Sequence, residues 1–313
     1  MDIKKCAIIG CGLVGTSIAF TLMKSGIFSE IILIDTNQSK AEGEAMDLNH
    51  CNPFIKPVEI HAGSYCDIKD CILVIITAGT GQKPNQTRLE LVRENVNIFK
   101  SIIPQITKQN KDCILLVVSN PVDILTYVSL KLSGFAPNKV IGSGTVLDTA
   151  RLKYLLSEHL HVDSRNVHAF MVGEHGDSEL PIWSSANISG INIEDFCNSS
   201  QTCCGISTMN DICLDVKNSA YEIIKRKGST YYGIALAVLR IVEAIVRNEH
   251  SILTVSSLVN NHYGLNNLCI GLPSIVGAEG VKNIIDIPLN ESELNNLKNS
   301  ANLLREIIDQ IGL

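Results

Sequence analysis

The chain has 313 residues, 45% of them hydrophobic, which suits a compact protein of two lobes better than one small core. A formal net charge of -6 at pH 7 argues against a general nucleic-acid or anionic-membrane surface, so any cationic site must be local. The eleven cysteines are an odd number with no C-x-x-C pair, and read as reduced thiols of a cytosolic core, with no disulfide framework and no metal site.

Along the chain, MDIKKCAIIG enters an apolar, strand-like run at once, so the expected location is the cytoplasm with no export signal. Apolar runs then alternate with amphipathic stretches. KKCAIIG precedes LVGTSIAFTLMKSG, EIILID precedes SKAEGEAMDLNH, and CILVIIT precedes RLELVRENVNIFKSIIPQITKQ. CILLVVS precedes PVDILTYVSLKLSG, and KVIGS follows. That alternation predicts an α/β architecture, a Rossmann-type doubly wound parallel sheet over residues 1–143.

Residues 144–313 change rhythm and predict a second, α+β catalytic domain. It should hold a helix around LDTARLKYLLSEHL, a strand at VHAFMVG, helices between Thr208 and Asn248, β-rich SILTVSSLVN to IIDIPLN, and a terminal helix from ESELNN. GIALAVLRIVEAIV is interrupted by Arg240 and Glu243, so it reads as a buried amphipathic helix and not as a membrane span. No low-complexity linker separates the halves, and a ligand cleft between them is expected.

Gly10-Cys11-Gly12-Leu13-Val14-Gly15 lies between a strand run and a helix run, with Asp35 twenty residues after Gly15 at the end of EIILID. G-x-G-x-x-G alone is weak, but this context is the one a dinucleotide site requires. Missing side chains at Gly10, Gly12 and Gly15 let the backbone approach a pyrophosphate at a helix N-terminus. Asp35 would accept hydrogen bonds from ribose hydroxyls and repel a 2′-phosphate, favouring NAD over NADP.

GEHGDS, LDTAR, SNPVDILTY and QKPNQTRLELV follow that fingerprint in one chain order, joined by KGSTYYGIA and NEHSILTVS. Together they resemble the bacterial L-lactate dehydrogenases, and more distantly the malate dehydrogenases, over essentially the whole chain. The resemblance implies His175 as proton donor and acceptor with Asp148 as its partner, and Arg151, one helical turn after Asp148, as the anchor of the substrate carboxylate. It implies a carbonyl-polarising Arg88, a hydrogen bond to substrate from Asn120, and Thr230 in the cavity wall. Further cofactor contacts are implied for Val14, Lys40, Tyr65, Gly79, Thr80, Ser101, Val118, Ser119, Asn120 and Ser143.

Within that superfamily the position of Gln82 faces the far side of the ketone, where malate dehydrogenases carry arginine. A neutral amide suits the methyl of pyruvate, because a second carboxylate would be enclosed without a counter-charge; a mismatch of ~4 kcal/mol is roughly a thousandfold. The resemblance thus points to pyruvate and L-lactate as substrates and to a homotetramer. A malate or bulkier 2-hydroxyacid dehydrogenase is the nearest alternative, and an idle nucleotide-binding protein the alternative from another class. Bacterial relatives often bind fructose 1,6-bisphosphate through an arginine and a histidine at the positions of Lys153 and His168. Lys153 departs from that pattern and lacks the planar fork, which implies weak or absent activation.

Overall fold

The structure, a computed structural model, describes residues 4–81, 86–200 and 205–312. Its first half comprises β1 (Lys5–Ile9), α1 (Leu13–Ser25), β2 (Glu30–Ile34), α2 (Gln38–Asn49), β3 (Glu59–Ala62), β4 (Leu73–Ile76), α3 (Arg88–Gln109), β5 (Ile114–Val117), α4 (Val122–Ser133) and β6 (Val140–Gly142). β4 and β5 are buried at every residue, as strands covered on both faces must be. Their parallel neighbours give the order β6-β5-β4-β1-β2-β3, which reverses direction between β1 and β4.

Helix boundaries follow local chemistry. Thr87 caps α3: its hydroxyl accepts the Glu90 N–H while the Glu90 carboxylate accepts the Thr87 N–H, so two orphan donors are satisfied reciprocally. Asn290 and Glu293 repeat the arrangement at the last helix.

The second half continues with α5 (Val146–Leu160), β7 (Val167–His168), β8 (Met171–Val172), β9 (Leu180–Pro181), β10 (Asn187–Ile188), β11 (Ile191–Asn192), α6 (Ile193–Ser200), α7 (Ile206–Lys227) and α8 (Tyr232–Val246). Then come β12 (Ser251–Leu253), β13 (Ser256–His262), β14 (Leu265–Gly271), β15 (Ser274–Gly277), β16 (Gly280–Ile284) and α9 (Glu291–Ile311). β13 and β14 join the first sheet, antiparallel to β6 through Ser256 opposite Gly142, and make it eight-stranded. A single hydrogen-bonded sheet therefore runs across residue 143.

One apolar cluster packs α3, α4 and α9 on one sheet face around Phe99, Ile103 and Leu304. A second packs α1 and α8 on the other around Leu22, Val238 and Ile241, and a third fills the second lobe around Leu152, Leu156 and Val216. The continuous strand expected at VHAFMVG is split, because Val167–His168 pairs with β10 while Met171–Val172 pairs with β9. No helix among the described residues is long and apolar enough to cross a membrane. Eight of the described cysteines are free, but Cys197 is disulfide-bonded, which corrects the expectation of thiols throughout; Cys203 and Cys204 lie outside the described residues.

Candidate active site

The strand order reverses between β1 and β4, and open α/β sheets bind ligands beyond the carboxyl ends of their strands at such a point. Two cavities that share Gly12, Thr77, Gly79 and Thr80 lie there, of about 520 and 670 Å³.

At the β1–α1 turn Gly10 has φ 103, a conformation that side chains resist, and its carbonyl accepts the Thr77 hydroxyl at 2.7 Å. A Cβ on Gly15 would lie 1.9 Å from the Gly10 oxygen, whereas one on Gly12 would meet nothing within 4 Å. Gly15 thus lets α1 close against the turn, while Gly12 leaves open room at the helix start. No side chain caps α1, so its first N–H groups are available to an anion. Asp35, at the end of β2, accepts the Cys11 N–H at 2.7 Å on one oxygen and the Asn37 N–H at 2.9 Å on the other. Those bonds fix the carboxylate where it lines the smaller cavity with Lys40, Tyr65 and Ser101. Backbone room, a free helix start and a fixed acceptor are what a dinucleotide needs. Cys11 is fully buried, and burial, helped by Asp35, pushes its thiol up to about 12. An unionised, buried thiol at this turn fills space as a small apolar side chain would.

The larger cavity receives Val14, Val118, Ser119, Asn120 and Ser143 from the first lobe. Arg151, His175 and Thr230 reach it from the second. α5 presents Asp148 and Arg151 on one face, and Asp148 holds two cationic partners at once. Its Oδ1 accepts from Arg151 Nη1 at 2.7 Å, and its Oδ2 lies 2.6 Å from His175 Nδ1. With Nδ1 turned to a carboxylate, Nε2 is the ring nitrogen left to face a substrate. Asp148 is 1% exposed; burial opposes its charge, yet His175 and Arg151 hold its carboxyl below the usual range.

Two acidic residues that the motifs did not single out complete the cluster. Asp123, in the first turn of α4, accepts the His175 backbone N–H at 2.8 Å, and burial pushes its carboxyl up to about 6. Glu179 is 3% exposed, and burial followed by the Asp148 charge raises it to about 9, so it carries its proton at neutral pH. Burial works to lower the His175 pKa, but Asp148, with Asp123 behind it, raises it to about 9. Asp148, His175 and Glu179 each offer a ligand atom within 4.8 Å of one another. Since both Asp148 oxygens already face a guanidinium and an imidazole, this trio suits holding protons better than holding a metal ion.

Gln82 lies outside the described residues, and so does the side chain of Arg88, the first residue of α3. Lys153 and His168 are not brought to this cavity. Lys153 lines a separate groove of about 420 Å³ with Phe170 and Arg240, and His168 is exposed on β7.

A dinucleotide cavity that ends at a protonatable imidazole beside an arginine defines a nicotinamide-dependent oxidoreductase acting on small acids. Residues 4–142 match the lactate/malate dehydrogenase, NAD binding domain, and residues 145–312 match the lactate/malate dehydrogenase, alpha/beta C-terminal domain. The chain belongs to the lactate/malate dehydrogenase family, and NAD is its cofactor. It is 57% identical over 311 residues to an L-lactate dehydrogenase of Acetivibrio thermocellus, covering 99% of this chain and 98% of that one. It is 56% identical over 307 residues to L-lactate dehydrogenase 1 of Clostridium acetobutylicum, covering 98% of each. Among solved structures, MGS-M5, a lactate dehydrogenase from a Medee basin deep-sea metagenome library, superposes with a TM-score of 0.97 at 46% identity over all of both chains. The minor L-lactate dehydrogenase of Enterococcus mundtii in its ligands-bound form gives 0.96 at 41%, over 99% of each.

Proposed function

We propose that this chain is an NAD-dependent L-lactate dehydrogenase that interconverts pyruvate and (S)-lactate, with residues 1–143 seating the cofactor and residues 144–313 supplying His175, Asp148 and Arg151. The observation that carries the reading is the His175–Asp148–Arg151 cluster at the wall of the dinucleotide cavity.

Nicotinamide supplies the hydride in one direction and accepts it in the other. Protonated His175 gives its Nε2 proton to the ketone oxygen of pyruvate, and takes it back from the hydroxyl of lactate. Asp148 fixes the ring's orientation and stabilises the imidazolium. Arg151 pairs with the substrate carboxylate through its planar fork, and its contact with Asp148 orients that fork before substrate arrives. Asn120 donates to the substrate oxygen, Thr230 bounds the cavity, and Arg88 polarises the carbonyl. Gly10, Gly12, Val14, Gly15, Asp35, Lys40, Tyr65, Gly79, Thr80, Ser101, Val118, Ser119 and Ser143 form the cofactor seat.

Gln82 selects pyruvate over oxaloacetate. The test is kcat/KM for both acids in the parent and in Gln82→Arg: the parent should prefer pyruvate and the variant should gain oxaloacetate, and an unchanged preference in the variant rejects the assignment. We further infer a cytoplasmic homotetramer, with fructose 1,6-bisphosphate exerting little control through Lys153 and His168. Burial lowers the Lys153 pKa, and lysine lacks the bidentate geometry that suits a phosphate. Pyruvate saturation should be nearly the same with and without the sugar bisphosphate; a large fall in KM on its addition contradicts the inference.

A further inference from the structure

α3 turns an apolar stripe toward the sheet through Val92, Val96, Phe99 and Ile103, all buried. In that stripe stands Asn95, fully buried, where helical spacing calls for another apolar side chain. A buried primary amide is costly unless its donors and acceptor find partners. Asn95 finds them at two separate backbone segments. Its Oδ1 accepts the Thr80 N–H at 2.8 Å, its Nδ2 donates to the Thr80 carbonyl at 3.2 Å, and the same Nδ2 donates to the Asn120 carbonyl at 2.9 Å. The amide therefore pairs with Thr80 as a neighbouring strand would, and uses its remaining donor on Asn120.

These two segments face the cavities from different directions. Thr80 follows β4 and lines both cavities; Asn120 follows β5 and lines the larger one. Gly79 packs against the same side chain, since a Cβ there would lie 3.2 Å from Asn95 Oδ1. Among the described residues, no backbone hydrogen bond joins Thr80 to Asn120. Packing of α3 on the sheet needs only an apolar residue at this position, and leucine keeps asparagine's branch at Cγ and its four side-chain heavy atoms without the polar groups.

We propose that Asn95 is a positioning residue, which ties the cofactor-cavity segment Gly79–Thr80 to Asn120 and so sets the spacing between the nicotinamide seat and the hydrogen bond from Asn120 to the substrate oxygen. The inference rests on the role of Asn120 given under Proposed function. Asn95 acts through Asn120 and not on the substrate. Its loss should therefore matter only while the Asn120 side chain is present.

The experiment is a double-mutant cycle with Asn95→Leu, Asn120→Ala and the pair, read as kcat/KM for pyruvate per NADH-binding site, with NADH affinity measured by fluorescence. If Asn95→Leu is not recovered folded, Asn95→Asp replaces it; this keeps the acceptor for the Thr80 N–H and loses the donor to Asn120. Asn95→Leu should lower kcat/KM about tenfold or more, chiefly through kcat, with NADH affinity within about threefold, while adding less than about threefold to the loss already caused by Asn120→Ala. Losses that multiply in the double variant indicate general loosening of the fold and overturn the proposal. If Asn120→Ala is impaired and the Asn95 variant is not, the clamp alone falls. If Asn120→Ala keeps parental kcat/KM, the assignment of Asn120 falls and takes the clamp with it.

Discussion

Replacing Asp148 with asparagine tests whether its charge, and not merely its shape, keeps His175 protonated. In the parent the ring titrates at about 9, because Asp148 outweighs a burial that by itself would favour the neutral form. Without that charge, the ring should fall at least to its ordinary value of about 6.5. At pH 7.5 the protonated fraction then drops from about 0.97 to about 0.09, so kcat/KM for pyruvate falls about tenfold from protonation alone. The same arithmetic gives a loss of only about 1.3-fold at pH 6 and about 80-fold at pH 8.5. The sign is fixed by direction: a raised histidine pKa preserves the proton donor as pH climbs, and lowering it removes the donor from the alkaline side first. Altered tautomer preference and a loosened Arg151 add a loss that does not vary with pH. The assay is kcat/KM for pyruvate from pH 5.5 to 9 in both proteins, normalised to NADH-binding sites. Parallel profiles, with one constant ratio at every pH, would refute the electrostatic account.

Three other variants probe the remaining parts of the site. Gly15→Ala forces a Cβ against the Gly10 oxygen, at 1.9 Å in the unrelaxed geometry, so NADH affinity measured by fluorescence should fall about a hundredfold, and an unchanged Kd contradicts the close-approach argument. Arg151→Lys keeps the charge and loses the fork; KM for pyruvate should rise about a hundredfold with NADH affinity preserved, and a KM within threefold would contradict bidentate anchoring. Glu179→Gln imitates a carboxyl that holds its proton up to about 9, so kcat/KM at pH 7 should stay within about threefold of the parent. A tenfold loss there would mean that Glu179 works as a carboxylate.

The parallel part of the sheet was legible because β4 and β5 are wholly apolar and buried on both faces, and the fingerprint at Gly10, Gly12 and Gly15 with Asp35 carries its own local geometry. The extension by β13 and β14 was not legible. It depends on Ser256 meeting Gly142, and no periodicity in SSLVNNH says which sheet it will join. The split of VHAFMVG has the same origin, since its two halves find different partners. In the site, His175 stood out between its glycines, and Asp148 and Arg151 stood one helical turn apart. Asp123 and Asn95 stayed hidden because their partners lie 52 and 15 to 25 residues away, and because a polar residue in a helix carries no local sign of what its side chain will meet. Glu179, one residue past GEHGDS, had a positional hint, but its retained proton is a product of burial beside Asp148 and has no sequence signature.

Turnover of pyruvate by the purified chain, compared with His175→Gln, tests the proton-donor assignment most directly. NADH consumption should match L-lactate formed one for one, with kcat/KM reduced at least about a thousandfold in the variant and NADH affinity retained. Turnover in His175→Gln close to that of the parent, or no consumption of NADH with pyruvate by the parent, would contradict it.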